Sequence, residues 1–310
     1  MYFGAYLYKV ELIGPKKTLR ISETESCAAM YSSPEAIAPI RKSEQIQFEN
    51  QGFIYLRQLM DSALTKRVLE GYERACKAHI DPVRTKQHRP HYDIAKILDE
   101  DIVFSELATL PKLLPYLLAT LGEDVQLIQA GARLFPPGKT FTAPWHSDMA
   151  NTLGIDLAHS NKFHVKVHFY FEDMAPDQGC LAFLPGTHRL PREMERPHPK
   201  EINAAEDSVI IVPKAGDAVL FNTHCLHMCL DNTSQKDRRT LIYSYSHFWV
   251  KQFPGARPSN PAWIPAGSLE RQILGLGTDG VEIFDQRPWQ APQPTALDRA
   301  KEHFARKLLS

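Results

Sequence analysis

Short runs of β-branched and aromatic residues follow one another through the second half of the sequence, and no helical pattern lies between them. The runs begin with VQLIQAGARLF at residues 125–135 and end with RTLIYSYSHFWV at residues 239–250. Turn-forming clusters such as PPG, APDQG, PGTH and KAGD separate them. Because strands without intervening helices do not build βαβ units, the pattern predicts an antiparallel sandwich or jelly roll.

Helical patterns precede these strands. The segment DSALTKRVLEGYERACKAHI has apolar residues at helical spacing, and Asp61 or Ser62 is its candidate N-cap. The segment VFSELATLPKLLPYLLATLG predicts one or two helices that are broken by Pro111 and Pro115 and stopped by Gly122.

The chain is expected to have three parts. Residues 1–45 form an N-terminal extension with a hairpin and a polar linker, and residues 46–250 form the jelly-roll domain. Residues 251–310 form a C-terminal extension that is rich in Pro and Gly and ends in an amphipathic helix, which serves as a lid or a packing element.

Composition argues against nucleic acid and membrane partners. Lys and Arg number 36, and Asp and Glu number 36, so the formal net charge is zero and no global field attracts a polyanion. No apolar run reaches the roughly 18 residues of a spanning helix. The five cysteines form no CxxC pair, which indicates free thiols, a reducing compartment and a cytoplasmic protein.

The stretch TAPWHSDMANT carries an imidazole and a carboxylate two positions apart, at His146 and Asp148. On an extended segment, residues i and i+2 point to the same face, so both side chains are candidate ligands of one metal ion. A third ligand is available from AVLFNTHCLHMCL, which offers His224 and His227. Two histidines and one carboxylate form the facial triad that binds Fe(II) and leaves positions open.

Arg238 and Thr240 follow the polar loop DNTSQKD. If this loop closes a hairpin, Arg238 lies on the strand beside the one that carries His227, and both side chains face one cavity. A planar guanidinium binds a carboxylate in a bidentate manner, and a nearby hydroxyl adds a donor. The pair therefore predicts a site for a dicarboxylate whose keto-acid end reaches the metal.

These pieces together resemble the phytanoyl-CoA dioxygenase family of iron(II)- and 2-oxoglutarate-dependent oxygenases. The resemblance rests on His146-x-Asp148, the block DQGCLAFLPGTHR, the stretch FNTHCLHMCLDN with His227, and Arg238. The pieces occur in the family's order, and the resemblance covers roughly residues 46–250.

The resemblance implies a mainly β fold, a double-stranded β-helix (a cupin-like jelly roll) with flanking helices. It implies Fe(2+) bound by His146, Asp148 and His227, with His227 preferred over His224 because of its spacing to Arg238. It also implies 2-oxoglutarate anchored by Arg238, and a reaction that consumes O2 and releases succinate and CO2.

The remaining site residues follow less directly. The resemblance implies a further polar contact to 2-oxoglutarate from an early strand, for which Gln129 and Arg133 are candidates. We assign Gln129 to 2-oxoglutarate, and Arg133, Lys166 and His88 to substrate. His88 lies in the basic segment VRTKQHRPHYD, for which a solvated loop is the simpler interpretation. Family members act on many small molecules, including natural-product intermediates.

Three questions stay open at this point. The oxidation is expected to be a hydroxylation, but desaturation, cyclisation and epimerisation use the same chemistry. The main alternative is a cupin-like metal enzyme that does not use 2-oxoglutarate and therefore has no use for Arg238. A non-catalytic jelly roll is disfavoured because His146, Asp148, His227 and Arg238 are all present. The protein is expected to be a monomer or a homodimer.

Overall fold

The computed structural model describes residues 39–80, 91–139, 145–148, 163–190 and 204–276, and the backbone of residues 8–13 and 18–23. The strands of these parts are β1 Tyr8–Ile13, β2 Thr18–Glu23, β3 Phe53–Leu56, β4 Tyr92–Ile94, β5 Val125–Phe135, β6 His164–Phe169, β7 Leu181–Phe183, β8 Val209–Ile211, β9 Ala218–Asn222, β10 His227–Cys229 and β11 Arg238–His247. The helices are α1 Lys42–Gln51, α2 Ser62–His79, α3 Ile102–Ala108, α4 Leu114–Leu121, α5 Ala204–Asp207 and α6 Ser268–Ile273.

Two antiparallel sheets form the body of the protein. The large sheet has the strand order β3-β9-β6-β11-β5-β4, and the small sheet has the order β10-β7-β8. Aromatic side chains join the sheets, for example Phe183 of β7 and Phe221 of β9, whose ring centroids lie 5.1 Å apart. The prediction of a mainly β fold with flanking helices is confirmed. The strands β1 and β2 pair with each other as a separate antiparallel hairpin.

The two faces of the large sheet have different partners because side chains alternate along each strand. One face faces the small sheet, and the other packs against α2, α3 and α4 in the largest apolar cluster. The hydroxyl groups of Tyr243 and Tyr245 on this second face donate to the carbonyls of Phe104 and Ala108, each at 2.9 Å. The helices therefore cover the outer face of the large sheet, and the inner face, toward the small sheet, is available to form the site.

The helix signals in the sequence agree with the structure. Asp61 is the N-cap of α2, and its carboxylate accepts a hydrogen bond from the Leu64 N–H at 2.8 Å. The apolar segment before Gly122 forms the two helices α3 and α4, and Pro115 lies in the first turn of α4, where it is tolerated. Within the described residues, no helix is long and apolar enough to cross a membrane.

One strand prediction is wrong in its details. The run AVLFNTHCLHMCL is not one strand, because the chain leaves the large sheet after Asn222 and enters the small sheet at His227. The Asn222 side chain accepts a hydrogen bond from the His224 N–H at 2.9 Å, and its carbonyl accepts one from the Cys225 N–H at 2.9 Å. This local bonding turns the chain between the two sheets.

The predicted hairpin between β10 and β11 is also absent from the described sheets. Arg238 begins β11, which pairs with β5 and β6 of the large sheet, whereas His227 begins β10 of the small sheet. The Asn232 amide donates to the carbonyls of Phe135 and Lys236 and fixes the connecting loop. Arg238 and His227 therefore face each other from opposite sheets.

Four cysteines lie in the described chain, namely Cys76, Cys180, Cys225 and Cys229, and all four are free thiols, as the sequence predicts. The predicted C-terminal helix lies outside the described residues, as do residues 83–90 of the basic segment, which include His88.

Candidate metal centre

The backbone brings the two histidines of the predicted triad together. His146 donates its N–H to the carbonyl of His227, and His227 donates its N–H to the carbonyl of His146, each at 3.0 Å. The next hydrogen bond, from the Asp148 N–H to the Thr223 carbonyl at 3.0 Å, fixes the carboxylate beside them. The His-x-Asp segment is thus bonded along the turn that joins β9 and β10.

The three side chains converge. Asp148 Oδ1 lies 3.8 Å from His146 Nε2, and Asp148 Oδ2 lies 3.3 Å from His227 Nε2. The two imidazole ring centroids lie 4.4 Å apart, and one ligand atom from each residue falls within 4.8 Å of the others. Two imidazoles and one carboxylate at this separation fit a single divalent first-row metal ion, and this donor set suits Fe(II).

The hydrogen bond of the His227 ring leaves its Nε2 atom available to bind a metal ion. Its Nδ1 lies 2.9 Å from the carbonyl oxygen of Cys225. Since a carbonyl only accepts, Nδ1 carries the proton and the lone pair is on Nε2, the nitrogen that faces Asp148. The alternative ligand His224 lies in the turn before β10 and is not part of the cluster.

Asp148 is an ionised group in a buried place. Burial by itself raises the pKa of Asp148, but Lys166 and His227 outweigh it and hold the pKa well below its usual range. The Lys166 ammonium lies 2.8 Å from Asp148 Oδ2. The carboxylate is therefore ready to bind a cation at neutral pH.

A cavity of about 230 Å³ extends from this cluster between the two sheets. Its walls include residues of the small sheet, such as Leu181 and Cys229, and residues of the large sheet, such as Gln129, Lys166 and His168. Burial lowers the pKa of His168 well below its ordinary value, and Arg238 and Lys166 lower it further. His168 is thus neutral, and the cations of the cavity are Arg133, Lys166 and Arg238.

Arg238 lines the same cavity as the metal ligands and is only 1% exposed. Its Nε and Nη2 atoms are buried and make no hydrogen bond among the described residues. Burial lowers the pKa of Arg238, but Cys229 and Tyr170 raise it above its usual value. A buried guanidinium is costly unless an anion pairs with it, so this end of the cavity suits a carboxylate.

Gln129 lines this cavity, and Thr240 lies on the same strand as Arg238. Thr240 follows Arg238 by two residues on β11 and shares its face, and its buried hydroxyl has no hydrogen-bond partner in the described structure. Gln129 lies opposite Ser244 in the pairing of β5 with β11, and it lines the cavity. Both were assigned to 2-oxoglutarate from the sequence, and both remain candidates for that role.

The residues assigned to substrate have different positions. Lys166 faces the cavity and pairs with Asp148. Arg133 also lines the cavity, but its guanidinium is paired with Asp93 through Nε–Oδ1 and Nη2–Oδ2 contacts of 2.7 and 3.2 Å. His88 falls in the part of the chain that the structure does not describe.

Three polar residues were missed in the sequence: Asp93 lines the cavity, and Ser244 and Tyr170 have buried hydroxyl groups. Ser244 follows Arg238 by six residues on β11, and the period of two could have identified it. Asp93 comes from the three-residue strand β4, which has no local sequence signal. Tyr170 follows directly after β6, and its hydroxyl is buried near Arg238.

Comparison with known proteins gives a family and a fold. Residues 48–240 match the sequence model of the family described as "Phytanoyl-CoA dioxygenase (PhyH)". The peroxisomal phytanoyl-CoA dioxygenase of Bos taurus is 24% identical over 225 residues, which are 63% of this chain and 65% of the bovine protein. The chain thus spans about 65% of the length of that curated relative.

Solved structures share the fold. HygX from Streptomyces hygroscopicus, with nickel and 2-oxoglutarate bound, has a TM-score of 0.56 at 17% identity, over 69% of this chain and 90% of HygX. The α-ketoglutarate-dependent epimerase SnoN from nogalamycin biosynthesis has a TM-score of 0.53 at 20% identity, over 66% of this chain and 82% of SnoN. The two facing sheets are therefore the jelly roll of the cupin-like 2-oxoglutarate oxygenases.

Proposed function

The chain belongs to the phytanoyl-CoA dioxygenase family, and we propose that it is an Fe(II)- and 2-oxoglutarate-dependent dioxygenase that oxidises a small-molecule metabolite. One observation carries the proposal: the buried guanidinium of Arg238, without an anionic partner among the described residues, lies in the same cavity as His146, Asp148 and His227. A metal site and a carboxylate site in one cavity suit a keto dicarboxylate.

The protein supplies ligands of the correct charge. His146 and His227 offer imidazole nitrogens, and Asp148 offers an ionised carboxylate. Arg238 pairs with the distal carboxylate of 2-oxoglutarate, and the Thr240 hydroxyl donates to the same group. Gln129 offers an amide donor from β5. Iron, when bound, would activate O2 as the oxidant, and 2-oxoglutarate would supply two electrons as it is converted to succinate and CO2.

The walls of the cavity keep bulk water away from the reacting groups. Asp148 and His227 are buried, and aromatic rings pack against His227, with the Phe221 centroid at 4.8 Å. A dry site strengthens the pairing of Arg238 with a carboxylate and prevents loss of oxidising equivalents to solvent. The small sheet therefore supplies the ligand His227, and the large sheet supplies the Phe221 ring that covers it.

The substrate class follows from relatives rather than from the cavity. HygX has been solved with hygromycin B, and SnoN with nogalamycin RO. By analogy we assign this chain to small-molecule, natural-product-like substrates. Hydroxylation is the proposed outcome, because it needs no hydrogen donor from the protein after the substrate C–H bond is broken.

The alternative is a cupin-like metal enzyme that does not use 2-oxoglutarate. It would use the same three metal ligands, but it gives no reason for a buried cation at Arg238. Anaerobic titration with Fe(II) and then 2-oxoglutarate separates the two. We expect a weak visible charge-transfer band that needs both components, and succinate release on exposure to air. Iron binding without any effect of 2-oxoglutarate on the spectrum or on succinate would favour the alternative.

A further inference from the structure

A lysine ammonium lies directly against the carboxylate of the metal site. Lys166 Nζ is 2.8 Å from Asp148 Oδ2, and the two side chains are only 14% and 12% exposed. Asp148 Oδ2 is also the atom that lies 3.3 Å from His227 Nε2. Any divalent cation bound by Asp148 and His227 is therefore a close neighbour of a fixed positive charge.

Lys166 acts on the same interior space as Arg238. Lys166 pairs with Ser244, and His168 pairs with Ile242, so both β6 side chains share the face of β11 that carries Arg238. The pKa of His168 is lowered first by burial and then by Arg238 and Lys166, which shows that both cations reach this neutral ring. The carboxylate on the cavity wall besides Asp148 is Asp93, which is paired with Arg133.

This arrangement has opposite effects on the two ligands of the proposed function. A cation repels the metal ion and attracts the dianion 2-oxoglutarate, and both effects are strong in a cavity where water does not screen them. A dianion also offsets part of the combined positive charge of Lys166, Arg238 and the metal. The relative affinities for the metal and for 2-oxoglutarate thus depend on the ammonium group of Lys166.

We propose that Lys166 couples metal and 2-oxoglutarate binding: its ammonium weakens the affinity for the metal alone and strengthens the affinity of the metal-loaded protein for 2-oxoglutarate. The second half of this statement rests on the proposed function, whereas the first half needs only the metal site. Because thermodynamic linkage is reciprocal, bound 2-oxoglutarate also raises the affinity of the protein for the metal. In this proposal Lys166 adjusts the affinities for the metal and for 2-oxoglutarate and does not contact the substrate.

The variant Lys166→Met tests the proposal, because it removes the charge and keeps the length of the side chain. Calorimetry with Co(II) or Ni(II) as the probe measures metal affinity without oxygen chemistry, and a second titration adds 2-oxoglutarate to the loaded protein. We expect the metal alone to bind about fivefold or more tighter and 2-oxoglutarate about fivefold or more weaker, at the low end of typical coupling.

Two further variants serve as controls. Lys166→Arg keeps the positive charge. We expect its affinities for the metal and for 2-oxoglutarate to stay close to those of the wild-type protein. Lys214→Met removes a charge from an exposed ion pair with Asp173, whose atoms lie 3.1 Å apart, and should change neither affinity. Circular dichroism and thermal unfolding check that each variant is folded.

The signs of the two shifts decide the question. If Lys166 only holds Asp148 in place, Lys166→Met weakens both affinities, and the proposal is overturned. An unchanged affinity for either ligand overturns the coupling as well. If wild-type protein binds metal but not 2-oxoglutarate, the proposed function fails, and the metal titration alone decides: tighter binding by Lys166→Met supports the charge effect, and unchanged or weaker binding ends it.

Discussion

His146 and His227 exchange both of their main-chain hydrogen bonds, although 80 residues separate them in the sequence. This pairing sets the two imidazoles side by side before any metal arrives. The site is therefore organised by the backbone, and a substitution of one imidazole should remove a ligand without disturbing the other.

His227→Ala is expected to abolish tight metal binding, because it removes one of three ligands, whereas His224→Ala should keep it. We expect a loss of at least about 100-fold for His227→Ala, above the usual effect of changes outside the ligand set. Anaerobic Fe(II) titration by calorimetry measures both variants. The reverse pattern would assign the ligand to His224.

Arg238→Met should weaken 2-oxoglutarate binding by about 2–5 kcal/mol, since it removes one partner of a buried charge pair. Metal binding should change little, because Arg238 is not one of the three metal ligands. The half-saturating 2-oxoglutarate concentration for succinate release, or for the visible band, measures the effect. An unchanged 2-oxoglutarate dependence would remove Arg238 from this role.

Gly52→Ala is expected to destabilise the fold by about 3 kcal/mol, from the sum of left-handed strain and overpacking. Gly52 has φ +85°, and a Cβ there would lie 2.5 Å from His188 Nδ1 and 3.1 Å from Cys225 Sγ. Gly186→Ala is the matched control, because its φ is +80° but its Cβ meets the Asn50 carbonyl only at 3.4 Å.

The control should lose only about 1–2 kcal/mol, which is the backbone term alone. Urea unfolding, followed by far-UV circular dichroism, measures both variants. Equal losses would mean that the space around Gly52 does not matter. His188 restricts that space because its ring bonds the Glu49 carbonyl at 3.1 Å, as expected for a histidine that fixes the PGTH turn.

Stability should fall as pH drops below about 6.5, with His164 as one source. Burial, assisted by Lys166, lowers the pKa of His164 to about 3 in the folded protein. Between the ordinary pKa of about 6.5 and this value, the unfolded chain binds a proton that the folded chain does not, which costs roughly 1.4 kcal/mol per pH unit. Above pH 6.5 the ring is neutral in both states and has no effect.

His164→Asn should make this pH dependence shallower by about one proton, because its amide does not titrate. The amide also keeps a polar group near the Thr223 hydroxyl, which lies 3.1 Å from His164 Nδ1. Urea unfolding at a series of pH values between 4 and 7 gives the slope for both proteins. An identical slope would show that His164 is not the group that titrates.

The sequence predicted the site better than it predicted the connections between strands. The two-residue spacing of His146 and Asp148 is a local signal, and so is the alternation that defines β5 at Val125–Phe135. The hairpin that was expected to bring Arg238 beside His227 does not exist, because the Asn222 turn sends the chain to the other sheet. Arg238 and His227 nevertheless line one cavity, because the two sheets face each other.

Other features carry no local signal at all. Asp93 reaches the cavity only because β4 pairs with β5 at the edge of the large sheet, and three residues are too few to show an alternating pattern. The contact of Lys166 with Asp148 joins residues from two separate segments. Such contacts depend on tertiary packing, which propensity and alternation do not specify.

The turn between Asn222 and His227 has a mechanical consequence. Asp148 is bonded to this turn, while Lys166, its ion-pair partner, belongs to the large sheet. An ion held by Asp148 and His227 would tie the His146–Asp148 segment to the start of β10. The free energy of metal binding would then also resist separation of this segment from β10, and amide exchange in β10 should slow in proportion to metal occupancy.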